Sequence, residues 1–175
     1  MYLKRLELSG FKSFAKKTVL DLDNKITSIV GPNGSGKSNV AEGMRFVLGE
    51  QSMKSLRGKS GTDLIFKGSK TQVALGRASV SIVFDNTKRI FQKNNNTDSD
   101  ISVEFDEIII SREVYGDGSN KYLVNGSQVR LKDILELLAP LNIGASGHHI
   151  ISQGEADRIL NSSIKDRKEM IEDAL

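Results

Sequence analysis

The chain has 175 residues, 38% of them hydrophobic and 27% charged, a balance that suits one soluble folded domain and excludes global disorder. It has no cysteine, which excludes a disulfide framework and a thiolate metal site, and no apolar run approaches the roughly 20 residues of a membrane span. The net charge of +3 is unevenly spread: residues 1–77 hold 14 Lys/Arg against 6 Asp/Glu, and residues 78–175 hold 11 against 16. A basic first half suits polyphosphate or nucleic acid, although a solvated lysine-rich surface would give the same count.

At the start, Leu3, Leu6 and Leu8 interleave with Lys4, Arg5 and Glu7, which predicts a strand and no signal peptide. A second strand is expected over Thr18–Leu22. After the Asp23-Asn24 turn, the β-branched run Ile26–Val30 predicts a short buried strand. Val40, Met44, Val47 and Leu48 then fall on one face of a helix that Gly49 is placed to end. Residues 50–77 read as loops with short elements around Leu56 and Asp63–Phe66. Ala78–Phe84 predicts a further strand, and the asparagine-rich stretch 86–100 a polar surface loop. Glu107–Tyr115 and Lys121–Val124 predict a strand pair around the Gly116–Gly118 turn, with a second tight turn at Asn125-Gly126. Leu131–Leu138 reads as a helix stopped near Pro140. Ser163 and Asp166 resemble a helix-opening cap. Ile164, Met170, Ile171, Ala174 and Leu175 then continue a helical pattern with no stop signal, so the chain reads as cut inside a helix.

Between the run at 26–30 and the helix lies Gly31-Pro32-Asn33-Gly34-Ser35-Gly36-Lys37-Ser38, a match to G-x-x-x-x-G-K-[ST], the Walker A loop. Glycines let such a loop wrap so that successive N–H groups point at phosphate oxygens, and the helix that follows adds its amino-terminal dipole. In this reading Lys37 reaches the β- and γ-phosphates of ATP and Ser38 ligates Mg²⁺. Other features are weak alone. His148 and His149 lack accompanying ligands, Gln153 reads as a solvated glutamine, and Arg57 could simply pair with a surface carboxylate.

Six blocks occur in one order: GFKSF at Gly10–Phe14, GPNGSGKSN at Gly31–Asn39, LGEQS at Leu48–Ser52, LRG at Leu56–Gly58, DLIFKGS at Asp63–Ser69 and ISQGEADRIL at Ile151–Leu160. Together they resemble the amino-terminal head segment of SMC (structural maintenance of chromosomes) proteins, in particular the bacterial chromosomal kind. The resemblance implies an α/β P-loop NTPase fold: the amino-terminal lobe of an ABC-type ATPase head, with a mixed sheet and an antiparallel β subdomain over 78–125. It implies a lobe over residues 1–160 and, over 161–175, the start of a helix leading into a coiled coil. It assigns Lys37, Arg57 and Gln153 to catalysis, and Ser38 and Gln153 to Mg²⁺. Lys12, Ser13, Pro32, Asn33, Gly34, Ser35, Gly36, Lys37, Ser38, Asn39 and Asp63 would lie at the nucleotide. Lys59 and Lys121 are candidates for DNA, with ordinary surface lysines as the alternative.

The same resemblance implies, as partners, the carboxy-terminal half of the same head, a second head in a homodimer, a kleisin-type subunit and DNA. It also implies a cytoplasmic, nucleoid-associated protein acting in chromosome condensation and segregation, without a membrane. Walker B, signature and switch-histidine motifs are not found in the chain, and the family carries them in its carboxy-terminal half. The fragment is therefore expected to be inactive alone and to expose an unpaired sheet edge or face. Two other readings remain open: a coiled-coil ATPase of recombination or double-strand-break repair, and a non-enzymatic DNA-binding module with a vestigial P-loop. A transporter ATPase ranks lowest.

Overall fold

The computed structural model describes residues 2–22, 26–91 and 101–141, together with Ser163 and Lys168. The chain divides into a unit over Met1–Ala145 and a second over Ser146–Leu175. The expected lobe boundary at 160/161, the helix over 161–175, Gln153 and the two histidines lie outside the described residues, as does most of the loop at 86–100.

Six strands form one sheet: β1 Tyr2–Ser9, β2 Thr18–Asp21, β3 Arg77–Asp85, β4 Glu107–Tyr115, β5 Asn120–Val124 and β6 Ser127–Val129. Their order is β2-β1-β3-β4-β5-β6, and every described pairing is antiparallel. The antiparallel set expected over 78–125 thus runs on through β1 and β2 without a break. Period-2 patterning decides which face is buried. Leu6 and Leu8 of β1, Val80 and Ile82 of β3, and Ile108, Ile110 and Val114 of β4 line the inner face. The outer face carries ion pairs, among them Lys4 and Arg5 with Glu107, and the Ser81–Ser111 hydroxyl pair.

Helix α1, Lys37–Val47, packs on the inner face. Gly43 permits the close approach, because a Cβ there would stand 2.6 Å from Leu8 Cδ2. The helix buries Val40, Glu42, Gly43, Phe46 and Val47, so the inward face includes Glu42 and Phe46 and leaves Met44 only half-buried. Gly49, with φ 103°, ends the turn as expected. Helix α2, Leu131–Leu138, follows β6, and Gly49 sits against its Leu131 and Leu135.

One expected strand does not form. Residues Ile26–Val30 are exposed and pair with no strand among the described residues, with Ile26 at 87% and Val30 at 88% exposure. A strand exists only as one side of a ladder, and among the described residues no second side pairs with the run. The β-branched residues carry the propensity, but the partner is lacking.

Candidate nucleotide-binding site

The Walker A loop stands at the solvent surface, with Gly31–Ser35 exposed. Gly34 and Gly36 take left-handed φ values of 83° and 95°, which turn the chain sharply into α1. Among the described residues, the N–H groups of Gly34, Gly36, Lys37 and Ser38 meet no acceptor, whereas Ser35 donates to Pro32 O and Asn39 to Gly36 O. A helix start leaves such donors open by its geometry, and they share a positive partial charge. Lys37 Nζ closes the loop by donating to Gly31 O at 2.6 Å and Pro32 O at 2.7 Å. The donor set fits a polyphosphate: clustered main-chain N–H groups, one ammonium, and the exposed Ser38 hydroxyl beside them.

Segments distant in sequence are docked around this loop. Ser13 Oγ accepts from Asn39 Nδ2 at 2.8 Å, and a Cβ on Gly36 would come within 2.6 Å of that same oxygen. The Gly10–Phe14 block pairs with the Asp63–Phe66 block, through Lys12 N to Leu64 O and Phe66 N to Gly10 O, each 2.8 Å. Phe11 is fully buried, with its ring centroid 5.5 Å from that of Phe46 on α1.

The cations follow a shared plan. Glu42, on α1 and only 6% exposed, pairs with Lys12 through Oε2 and with Arg57 Nε through Oε1 at 3.3 Å. Lys12 Nζ also donates to the carbonyl of Leu56. Arg57 does have a carboxylate partner, but that partner is buried on α1 and does not lie on the surface. Asp63 accepts from Lys67 and from the main-chain N–H of Lys59 and Ser60. Lys67, followed by those two N–H groups, holds the Asp63 carboxyl well below the usual carboxylate range. Asp63 therefore ties down the loop that follows Arg57. Lys59 is exposed on that loop, which meets the β4–β5 turn where Gly61 approaches Gly118 O. Lys121 lies on β5, its ammonium 5.2 Å from the Tyr115 ring centroid.

Two residues were missed in the sequence. Glu42 was overlooked because a glutamate on a helix ordinarily faces water. Arg112 had a readable signal: it occupies the third place in the inward row Ile108, Ile110, Arg112, Val114, where the pattern calls for an apolar side chain. Its guanidinium is buried, 4.1 Å over the Phe46 ring, and donates to Phe46 O at 2.9 Å and Glu50 O at 2.7 Å at the carboxyl end of α1. Burial pushes Arg112 below the ordinary arginine value. Among the described residues no cluster of His, Cys, Asp and Glu could hold a metal ion, and no helix is long and apolar enough to cross a membrane.

A glycine-rich loop opening onto a helix, backed by a sheet, defines the amino-terminal lobe of a P-loop NTPase head of the ABC type. Residues 2–158 match the family described as RecF/RecN/SMC N terminal domain, and the chain belongs to that family. Over 172 residues it is 46% identical to the chromosome partition protein Smc of Rhodopirellula baltica, a match covering 98% of this chain and 14% of that protein. A solved chain from a study of ATP-driven dimerization and DNA-stimulated activation of SMC ATPases is 36% identical, with a TM-score of 0.86 and full coverage of both chains. The crystal structure of an Smc head bound to the C-terminal winged-helix domain of ScpA is 38% identical, with a TM-score of 0.88, covering 99% of this chain and 51% of that one. These relatives agree with the SMC resemblance over the recombination and transporter readings. The chain spans about 14% of the length of the curated relatives it matches.

Proposed function

We propose that this chain is the ATP-binding half of an SMC head whose full-length protein hydrolyses ATP between two engaged heads. The observation that carries the proposal is the set of open N–H donors at Gly34, Gly36, Lys37 and Ser38, closed over by the Lys37 ammonium. In this reading Pro32, Asn33, Gly34, Ser35 and Gly36 shape the phosphate cradle, and Lys37 exchanges two carbonyls for phosphate oxygens. Asn39 and Ser13 brace its far side, while Lys12 and Asp63 hold the flanking loops in register. Ser38 would hold Mg²⁺ with Gln153, and the ion would neutralise charge on the transferring phosphoryl group. Arg57 adds a second cation for that charge.

The activity belongs to the full-length protein. The water-orienting glutamate and the signature motif would come from the carboxy-terminal half, so residues 1–175 alone would not hydrolyse ATP. Relatives described with ATP-driven dimerization and with ScpA support a second head and a kleisin-type subunit as partners. Lys59 and Lys121, on adjoining segments, would offer DNA phosphates two cations. A cytoplasmic, nucleoid-associated role in chromosome partition fits these assignments.

The test is Lys37→Ala in the full-length protein and in residues 1–175. The variant should abolish ATP binding and turnover in the first, and the second should show no turnover with either residue. Robust hydrolysis by wild-type residues 1–175, lost in Lys37→Ala, would overturn the missing-half reading. Unchanged ATP binding in full-length Lys37→Ala would overturn the site itself.

A further inference from the structure

Glu42 is a buried carboxylate to which the site as proposed gives no task. It binds two cations at once, Lys12 and Arg57, and each of them adopts a left-handed backbone, φ 49° and φ 48°. Non-glycine residues in that conformation are strained and persist where the surroundings over-determine them. Here the surroundings can be named. Lys12 is pinned by its N–H to Leu64 O, and its ammonium reaches both Glu42 and the carbonyl preceding Arg57. Arg57 is pinned by its N–H to Lys54 O, by Gly58 N to Met53 O, and by the fully buried Leu56 next to it.

The geometry at Arg57 is one-sided. Glu42 takes the Nε edge, and the rest of the guanidinium, on a side chain 54% exposed, meets no other acceptor among the described residues. A guanidinium has two edges, so a carboxylate ion-paired on the Nε side leaves the other edge for a phosphate. Charge points the same way. One carboxylate against two cations leaves the cluster with net positive charge, which favours an anion, while it offsets the repulsion between the largely buried Lys12 ammonium and the exposed Arg57 guanidinium.

We propose that Glu42 is a positioning residue for ATP hydrolysis: it holds Arg57 by the Nε edge and keeps the Nη edge set for a phosphoryl group, with Lys12 locking the same carboxylate from the other side. This rests on the reading of Arg57 given under Proposed function. Preorganisation of this kind contributes to rate more than to ground-state affinity, because the cation need not be ordered during the reaction.

The experiment measures Mg-ATP hydrolysis, ATP affinity and thermal midpoint in the full-length protein for Glu42→Gln, Arg57→Ala, the double variant and Arg57→Lys. Each single variant should lower kcat by roughly tenfold or more, with ATP affinity changed less than about threefold. The double variant should be no slower than Arg57→Ala alone, because Glu42 acts through Arg57. Arg57→Lys should be nearly as slow as Arg57→Ala, since lysine keeps the charge but has no Nε edge. That variant alters only an exposed side chain and still decides the matter should Glu42→Gln fail to fold. Wild-type turnover in Glu42→Gln, losses that multiply in the double variant, or wild-type turnover in Arg57→Lys would each overturn the positioning role while leaving Arg57 at the nucleotide. Wild-type turnover in Arg57→Ala would instead overturn the reading of Arg57, and the positioning role with it.

Discussion

The antiparallel sheet and the segment leading into the Walker A loop make opposite use of the same residue types. In the sheet, β-branched and leucine side chains alternate with polar ones, every strand finds its ladder within residues 2–129, and the apolar row meets α1. In Ile26–Val30 the apolar residues face solvent and the backbone finds no ladder among the described residues. The sheet is self-sufficient, and the approach to the loop is not. Among the described residues the Walker A loop is thus fixed at its α1 end, where the helix locks onto the sheet.

The largest effect expected from this division is on function without stability. Among the described residues, the Lys37 ammonium bonds to the carbonyls of its own exposed loop alone. Lys37→Ala should therefore cost the full-length protein on the order of a hundredfold or more in ATP turnover. Its unfolding free energy should stay within about 0.5 kcal/mol of wild type. A large drop in the thermal midpoint would show that the loop is part of the framework after all.

Next in size is the contact at which sheet and helix are locked. Arg112 reaches from β4 to the carbonyls of Phe46 and Glu50 at the end of α1, and to Asn120 Oδ1 at 3.1 Å. Arg112→Met keeps the packing volume but leaves these acceptors short of a donor, so denaturant unfolding should show a loss of about 2–3 kcal/mol. A neutral result would mean that Phe46 and Val47 alone seat the helix.

How much of this was legible depended on where the partner of each residue lay. The strands over 2–8, 78–84 and 107–115 were readable because alternation records a buried face directly, and the loop was readable because its glycines and lysine are spaced by phosphate geometry. The same β-branched signal misled at Ile26–Val30, where propensity had no ladder to act through. The helix face expected from Val40, Met44, Val47 and Leu48 omits Glu42, whose two counter-ions lie 30 residues before it and 15 after. Ion pairing between distant segments leaves no periodic trace. Arg112, by contrast, broke a visible pattern and could have been found.

A smaller effect separates the two faces of the sheet. Glu107, held chiefly by Lys4 and further by Arg5, and Glu7, held chiefly by Lys17 and further by Arg5, both have carboxyl pKa values lowered from the ordinary range. A lowered folded-state value means the stabilisation is present above the unfolded pKa, near 4.3, and is lost as pH falls through the folded value. The pairs are partly exposed and solvent screens them, so each should contribute less than about 1 kcal/mol. Stability should fall between roughly pH 5 and pH 2, and Lys4→Met should flatten that acid limb while barely changing stability at pH 7.

The smallest effect on stability is expected where the apolar residues have no partner. Ile26 and Val30 lose almost nothing to solvent on unfolding, because they are already in it. Replacing both with serine should shift the unfolding free energy of residues 1–175 by no more than about 0.5 kcal/mol. In the sheet, by contrast, Leu6→Ala should cost about 2–5 kcal/mol, since Leu6 is fully buried. The serine pair should instead lower the concentration dependence of light scattering, because an exposed β-branched run without a ladder is a site for pairing with another chain. A loss of stability comparable to that of Leu6→Ala would mean that Ile26 and Val30 are buried in solution, and the contrast between a closed sheet and an open approach to the loop would have to be abandoned.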